Sequence, residues 1–518
     1  MNKIFMIAVL ALTVISCKKD FIELAPEDQI GEPNFYKTEA QFRMALTAAY
    51  TPLRDLFEND FYTNEMRSDN THYEYYQINR GTAYTMRENI ADFTDDPSNS
   101  YSNAVYFHCF KGISRANIIL DRIDGGTLSD AAKNDIVGQA KFLRAFNFFK
   151  LVRYFGGVPL FIHEVTEAEQ SFLPRSSAAE VYAQIIDDAK DAIARLSNPV
   201  FVSGKQSGQA TKGAATMLLA EVYMTQQHYA EAETLLNSLA GMGYDLLPKY
   251  ADVFSTNNKN SRESIFEIQY LEGLQGGQQS NFIYLFLPRS QNTTLITGVK
   301  TDNSGIGGWN TPTKDLIDAY EPGDTLRKDA SIAMAEGTYN ASNLFTFTAN
   351  KSILNYKPAA GRVGVPYIKK YLNLHTNPNN TNDNWPVYRY ADALLLLAEA
   401  RNLQGKPAEA LAPLNKVRAR GFGNATHNIT TTDQTALTDI IAHERRIELA
   451  FENHRWHDLV RTGKAVEVMN AHGAQLKQLY TYLPASSYQV DQNRLLYPIP
   501  QSERELNIDL TQNTGYPQ

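Results

Sequence analysis

The sequence predicts a mostly α fold: a helical-repeat scaffold joined to a loop-rich half that contains a few short strands. Three observations carry that prediction. Apolar residues recur at helical spacing in segment after segment. Two helix pairs match each other without a gap. Two long stretches dense in Gly, Asn, Thr, Pro and Tyr break the helical pattern.

Taken in order, the chain begins with an address. Lys3 is followed by an apolar run, Ile4 to Ile15, that ends in Val14-Ile15-Ser16-Cys17. The run is too short to span a bilayer core of ~30 Å, so residues 1–16 read as a signal peptide. A small residue before Cys17 resembles a bacterial lipobox, which makes Cys17 the expected lipidation site. Several acyl chains on one residue give a stable membrane anchor. Residues 17–33 then read as a lipidated tether and 34–518 as one domain. Cys109 is the only other cysteine and is expected to be a buried free thiol.

Thr38-Glu39 opens the first amphipathic helix, through Phe42, Leu46, Tyr50, Leu53 and Leu56-Phe57. Helical spacing returns in Asn103–Ile123, Ala131–Phe155, Ala178–Leu196, Ala210–Met224 and Tyr229–Leu239. It returns again in Tyr390–Leu403, Pro407–Val417 and Thr435–Phe451. The helices thus occupy about 38–57, 101–240 and 385–465. Gly156-Gly157 and Gly405 punctuate helix ends, and Pro407 falls in a first turn, where its missing N–H costs nothing.

Ala215, Leu218, Leu219, Ala220, Glu221, Ala230, Glu231, Ala232, Leu236 and Asn237 recur as Ala393, Leu396, Leu397, Ala398, Glu399, Ala408, Glu409, Ala410, Leu414 and Asn415. Each copy is helix, short turn, helix, with small residues where the axes cross. That pattern resembles the tetratricopeptide (TPR) repeat. One such pair cannot bury its own face, so stacked neighbours are implied.

The interruptions run over about 59–100 and 241–384. Ser264–Tyr270 and Phe282–Leu287, both in the later interruption, have the composition of short strands. Insertions this long in a compact fold are usually functional.

Composition narrows the function. Acidic residues outnumber basic ones, 57 to 49, for a net charge of -8, which disfavours nucleic acid as a partner. His443-Glu444 lacks the second histidine of a zincin, and His454 with His457 lacks a third ligand. No nucleophile elbow, P-loop or dinucleotide fingerprint is present, and no catalytic residue, metal or cofactor is assigned. Calcium near Asp92, Asp95, Asp96 or Asp302 has no EF-hand spacing behind it, and a solvated loop is the better reading.

Six ordered blocks resemble the SusD/RagB family of nutrient-binding outer-membrane lipoproteins. Ala140–Ala145 leads into Leu151–Leu160. Gly308–Thr313 precedes Glu321–Arg327. Arg389–Ala400, Glu444–Glu452 and Arg455–Arg461 follow. Tyr497–Pro500 with Gln512–Tyr516 closes the chain. His457 stands where the family commonly has an aromatic.

The resemblance covers the whole mature chain. It implies a TPR-like scaffold supporting a loop-rich ligand-binding half. It implies a lipid-anchored outer-membrane protein facing the cell exterior, which captures oligosaccharide and delivers it to a SusC-like TonB-dependent transporter without catalysis. A peptide-binding, RagB-like protein is the alternative. A helical-array glycoside hydrolase and a purely structural TPR adaptor are the readings from other classes. Arg445, Glu448, Arg455 and Asp458 are expected to be structural ion pairs.

Sugar recognition needs flat aromatic faces and planar polar groups, and the chain has 29 tyrosines. In the first interruption the expected ligand-binding residues are Asp69, Asn70, Tyr73, Tyr75, Tyr76 and Tyr84. In the second they are Tyr284, Arg289 and Trp309, with Asn281 and Asn292 as further candidates. Packing against the helices is the competing role for the tyrosines, and Trp309 also belongs to a family block.

Overall fold

A computed structural model describes residues 35–77, 80–273 and 277–517. The expected signal peptide, tether and lipidated Cys17 lie outside the described residues.

The longer helices are α1 (Glu39–Thr63), α2 (Thr82–Ala91), α3 (Ser100–Arg122), α4 (Asp130–Phe155), α5 (Ala178–Arg195), α6 (Lys212–Thr225) and α7 (Tyr229–Ala240). After the second interruption come α8 (Tyr390–Leu403), α9 (Pro407–Phe422), α10 (Gln434–Glu448) and α11 (Ala465–Leu479). Local chemistry sets their ends. Thr38 and Gln41 form a capping box at α1, as do Ser177 and Glu180 at α5. Gly156 ends α4 at φ 70°, a region costly for any side chain with a Cβ. Pro407 stands in the first turn of α9.

Neighbouring helices pack in sequence order: α1 on α3, α3 on α4, α4 on α5, α5 on α6 and α6 on α7. Then α7 packs directly on α8, and α8 on α9 and α10. The two matching pairs, α6–α7 and α8–α9, are therefore neighbours in space although the second interruption separates them in sequence. This is a TPR-like helical scaffold. One continuous apolar cluster fills it, from Phe42 through Phe146 and Leu218 to Leu395 and Ile447. Among the described residues no helix is long and apolar enough to cross a membrane.

Among the described residues, seven short strands lie in the irregular half. β1 (Thr71–His72) pairs with β3 (Thr311–Pro312), and β2 (Ser264–Ile268) with β7 (Trp385–Arg389). β4 (Ile332–Tyr339) is the centre of a three-stranded antiparallel sheet between β5 (Phe345–Ser352) and β6 (Val363–Ile368).

Several elements differ from expectation. α1 continues to Thr63, because Asp60, Phe61, Tyr62 and Thr63 are all buried against the scaffold. Phe282–Phe286 is a short helix, not a strand; an unbroken apolar run with every residue buried carries no period to separate the two. α2 and α11 are additional helices.

Buried ions fasten the irregular half to the scaffold. Arg389, at the β7–α8 junction, reaches Glu263, Glu448 and Glu452 at 2.6–3.0 Å. Arg420 of α9 joins Glu263 at 2.9 Å and Glu448 at 2.5 Å. Arg445 bridges Asp392 and Asp458 at 2.7 and 3.0 Å. Burial opposes the charge on Glu448, but Arg420, Arg389, Arg327 and Lys370 outweigh it and hold the carboxyl down at about 2. Cys109 is a buried free thiol, pushed up to about 12 by burial.

Candidate functional site

The β1–β3 ladder joins the two interruptions. Thr71 faces Pro312 and His72 faces Thr311, and the next link is Glu74 N–H donating to the Gly308 carbonyl at 2.8 Å. Residues Tyr73–Tyr76 leave β1 on one side, and Thr313–Asp318 leave β3 beside them. The β6 segment Gly364–Pro366 and the C-terminal end of α11 complete the walls. Together they enclose a cleft of about 720 Å³. That is ample for a short oligomer.

Aromatic rings dominate one wall. Tyr75 lies on Tyr482 at 3.8 Å between centroids and 4° from parallel. Tyr480 stacks beside Tyr482 at 5.3 Å and 25°, and His72 lies 5.3 Å from Tyr480 at 13°. The back of Tyr75 carries the Arg80 guanidinium at 4.3 Å. Tyr480 is 36% exposed and Leu479 beside it 66%.

The polar lining is fixed from beneath. Tyr73 Oη donates to Asp92 at 2.7 Å, and Tyr339 Oη to Glu74 at 2.9 Å. Desolvation pushes Glu74 up to about 7 and Asp92 up to about 8. Burial, with His472 nearby, lowers His72 to about 3, so its imidazole is neutral. It is held between the Tyr482 and Tyr488 hydroxyls at 3.1 and 3.3 Å. Lys314 pairs with Asp318, and Asp315 with Arg446 at 2.6 Å.

The sequence-predicted residues divide into two groups. Tyr73, Tyr75 and Tyr76 line the cleft. Asp69, Asn70, Tyr84, Tyr284, Arg289 and Trp309 do not, and burial is the reason for most of them. Asp69 is 3% exposed and accepts both nitrogens of an Arg455 fork at 2.7 and 2.8 Å. Burial disfavours its charge, but Arg446 and Arg455 hold its carboxyl well below the usual range. Asn70 is tied to Glu65 and Arg446 at 2.9 Å each. Tyr284 is fully buried, its hydroxyl on His375 at 2.5 Å.

Arg289 is buried under the rings of Tyr76 and Tyr84, 3.4 and 4.2 Å from their centroids. Trp309 is 1% exposed, stacked on Tyr84 at 5.7 Å with Arg87 over it at 4.9 Å. Gly308 and Asn310, at φ 83° and 55°, turn that indole inward, and a Cβ at Gly308 would stand 3.2 Å from Glu74. Tyr84 is half-buried and donates to the Gly305 carbonyl at 2.7 Å. Asn281 precedes the short helix Phe282–Phe286, and Asn292 accepts from Thr294 at 3.1 Å; neither lines the cleft.

Tyr480, Tyr482, His72 and Tyr339 are cleft residues that the sequence did not single out. The alternation Tyr480-Thr481-Tyr482 just after Leu479 is the signal available for two of them. Carboxylates with a conceivable calcium role have protein partners: Asp95 pairs with Arg67 at 2.8 Å, while Asp96 and Asp302 accept from Ser98 and Ser304.

A mostly helical, TPR-like fold with a few short strands is the fold of SusD-like proteins. The sequence profile described as "SusD family" matches residues 262–516, and that described as "Starch-binding associating with outer membrane" matches 20–224. SusD-like protein P38 of Formosa agariphila is 28% identical over 487 residues, covering 89% of this chain and 91% of the relative. The solved structure of a laminarin-binding SusD-like protein is 25% identical with TM-score 0.72, covering 93% of this chain and all of that one. A SusD homologue from Bacteroides thetaiotaomicron superposes with TM-score 0.78 at 23% identity, covering 95% of this chain and all of the other. The chain belongs to the SusD-like family.

Proposed function

We propose that this protein is a cell-surface glycan-binding lipoprotein. It captures an oligosaccharide in the β1–β3 cleft and passes it, unaltered, to a SusC-like TonB-dependent transporter. The observation that carries the reading is the ring array of Tyr75, Tyr482 and Tyr480 on one cleft wall. Sugar rings present C–H faces that pack on such rings, and the surrounding hydroxyls, amides and carboxylates match sugar hydroxyls. Tyr480 offers the accessible face, Tyr482 and Tyr75 hold it in place, and Tyr73, Tyr76 and Tyr339 line the remainder. The family profile named for starch binding at the outer membrane, and a relative named for laminarin binding, support the same ligand class. Cys17 is the anchor in this reading, and the outer membrane the location.

Titration calorimetry against a panel of neutral oligosaccharides tests the proposal. At least one binds in the micromolar range, and Tyr480→Ala and Tyr482→Ala each weaken it. The glycan is recovered intact by chromatography. Release of new reducing ends would make the protein a hydrolase, and binding confined to peptides would make it the RagB-like alternative. Co-purification with a TonB-dependent barrel from native outer membranes tests delivery.

A further inference from the structure

We infer that the cleft selects neutral glycans and rejects sulfated or uronate-bearing ones. This rests on the glycan reading above and narrows its ligand class.

The charged side chains lining the cleft are Glu74, Asp315, Asp318 and Lys314. An anionic sugar needs a cation that is not already claimed, since a fork of Arg N–H groups or a Lys ammonium is what meets sulfate or carboxylate. The cleft provides none among the described residues. Lys314 pairs with Asp318 across one helical turn. Arg446, behind Asp315, is shared between that carboxylate and Asp69. Arg80 lies against the back of Tyr75 and pairs with Glu88. Arg289 is 4% exposed and sandwiched by Tyr76 and Tyr84.

The histidines do not make up the deficit. His72 and His472 are both lowered by burial and stay neutral near pH 7. With Lys314, Arg446 and Arg80 paired and Arg289 buried between two rings, Glu74 adds further acidity whenever it is ionised. A sulfate or uronate placed on the Tyr480 platform would therefore face like charge in a partly desolvated cleft, where screening is weak. A neutral sugar meets the same carboxylates as hydrogen-bond acceptors for its hydroxyls.

The experiment uses laminarihexaose, xylohexaose and mannohexaose, each titrated beside its chemically sulfated derivative. Expected is at least a tenfold preference for the neutral member of whichever pair binds. Asp318→Lys, a change at an exposed position, removes the partner of Lys314 and adds a second cation. It is expected to shrink the neutral-to-sulfated affinity ratio at least threefold, and that ratio, not the affinity for either sugar alone, is the readout. A sulfated member that binds as well as its neutral parent overturns the inference and leaves glycan binding intact. An unchanged ratio in Asp318→Lys overturns the assignment of selectivity to cleft charge. If neither member of any pair binds while a broader neutral panel does, the sulfated panel is repeated on that glycan with the same criteria. If nothing in the broader panel binds, the glycan reading fails and takes this inference with it.

Discussion

Tyr75 and Tyr482, from opposite ends of the chain, lie ring on ring at 3.8 Å and 4°. Tyr75 is further backed by Arg80, so both of its faces are occupied. Its role is then to hold Tyr482, and through it Tyr480, flat. Removing Tyr482 deletes a platform ring and frees its neighbours. Tyr482→Ala should weaken glycan binding by about 1–1.5 kcal/mol, roughly five- to tenfold, with calorimetry as the measurement. Tyr75→Ala should act in the same direction but less, because its ring has no free face.

In the proposed reading Trp309 supports the platform from beneath and does not form part of it. It is 1% exposed and packs against Tyr62, Tyr73 and Tyr84. Trp309→Ala should cost about 3–5 kcal/mol of stability by urea denaturation. Trp309→Phe keeps an aromatic in place and should leave glycan affinity within about twofold of native. A large, selective loss of affinity in Trp309→Phe, with stability unchanged, would return the indole to the binding face.

Asp69 shows the same division between loop composition and role. Its carboxylate joins Arg455 and Arg446, tying the first interruption to the scaffold. Asp69→Asn leaves the half-buried Arg455 guanidinium without its carboxylate and weakens the hold on Arg446, and should destabilise by about 2–3 kcal/mol.

Acid should act on the same contacts. Asp69 and Glu448 titrate below their ordinary values of 3.8 and 4.5, Glu448 at about 2. Folding therefore favours their ionised forms. Their contribution is complete above the ordinary values and is lost as pH falls toward 2. Thermal denaturation from pH 6 to pH 2 should show a steep acid limb, flatter in Glu448→Gln from a lower starting point.

Asp92 works in the opposite sense. Burial raises it to about 8 from an ordinary 3.8, so the folded chain holds a proton that the unfolded chain has released. Stability then falls as pH rises between those two values. Asp92→Asn keeps an acceptor for the Tyr73 hydroxyl and removes the ionisation. At pH 9 it should be more stable than the native protein by on the order of 1–3 kcal/mol, and the difference should vanish near pH 4. A variant less stable than native at both pH values would show that Asp92 is ionised and well served in the fold.

The scaffold was legible because its signals are local. Thr38 with Gln41 and Ser177 with Glu180 mark helix starts, and the Ala215–Asn237 pattern repeats in Ala393–Asn415. The six family blocks sit mostly on that scaffold. The cleft was legible only at Tyr73, Tyr75 and Tyr76. A polar, tyrosine-rich segment announces a functional loop, but it does not say which side chains its partner covers. Phe282–Leu287 was equally opaque, since every residue in it is apolar and helix and strand bury such a run alike.

The sequence by itself determined the helical-repeat fold and the family, because caps, periodicity and ordered motif blocks are properties of neighbouring residues. Only the tertiary structure decided which aromatics face the cleft. Pairing β1 with β3 covers Asp69 and Asn70 against Arg446 and Arg455. It also lets Tyr73–Tyr76 meet Tyr480 and Tyr482 from the far end of the chain. Burial at such a junction depends on which distant segment arrives there, and no local pattern of residues encodes that arrival.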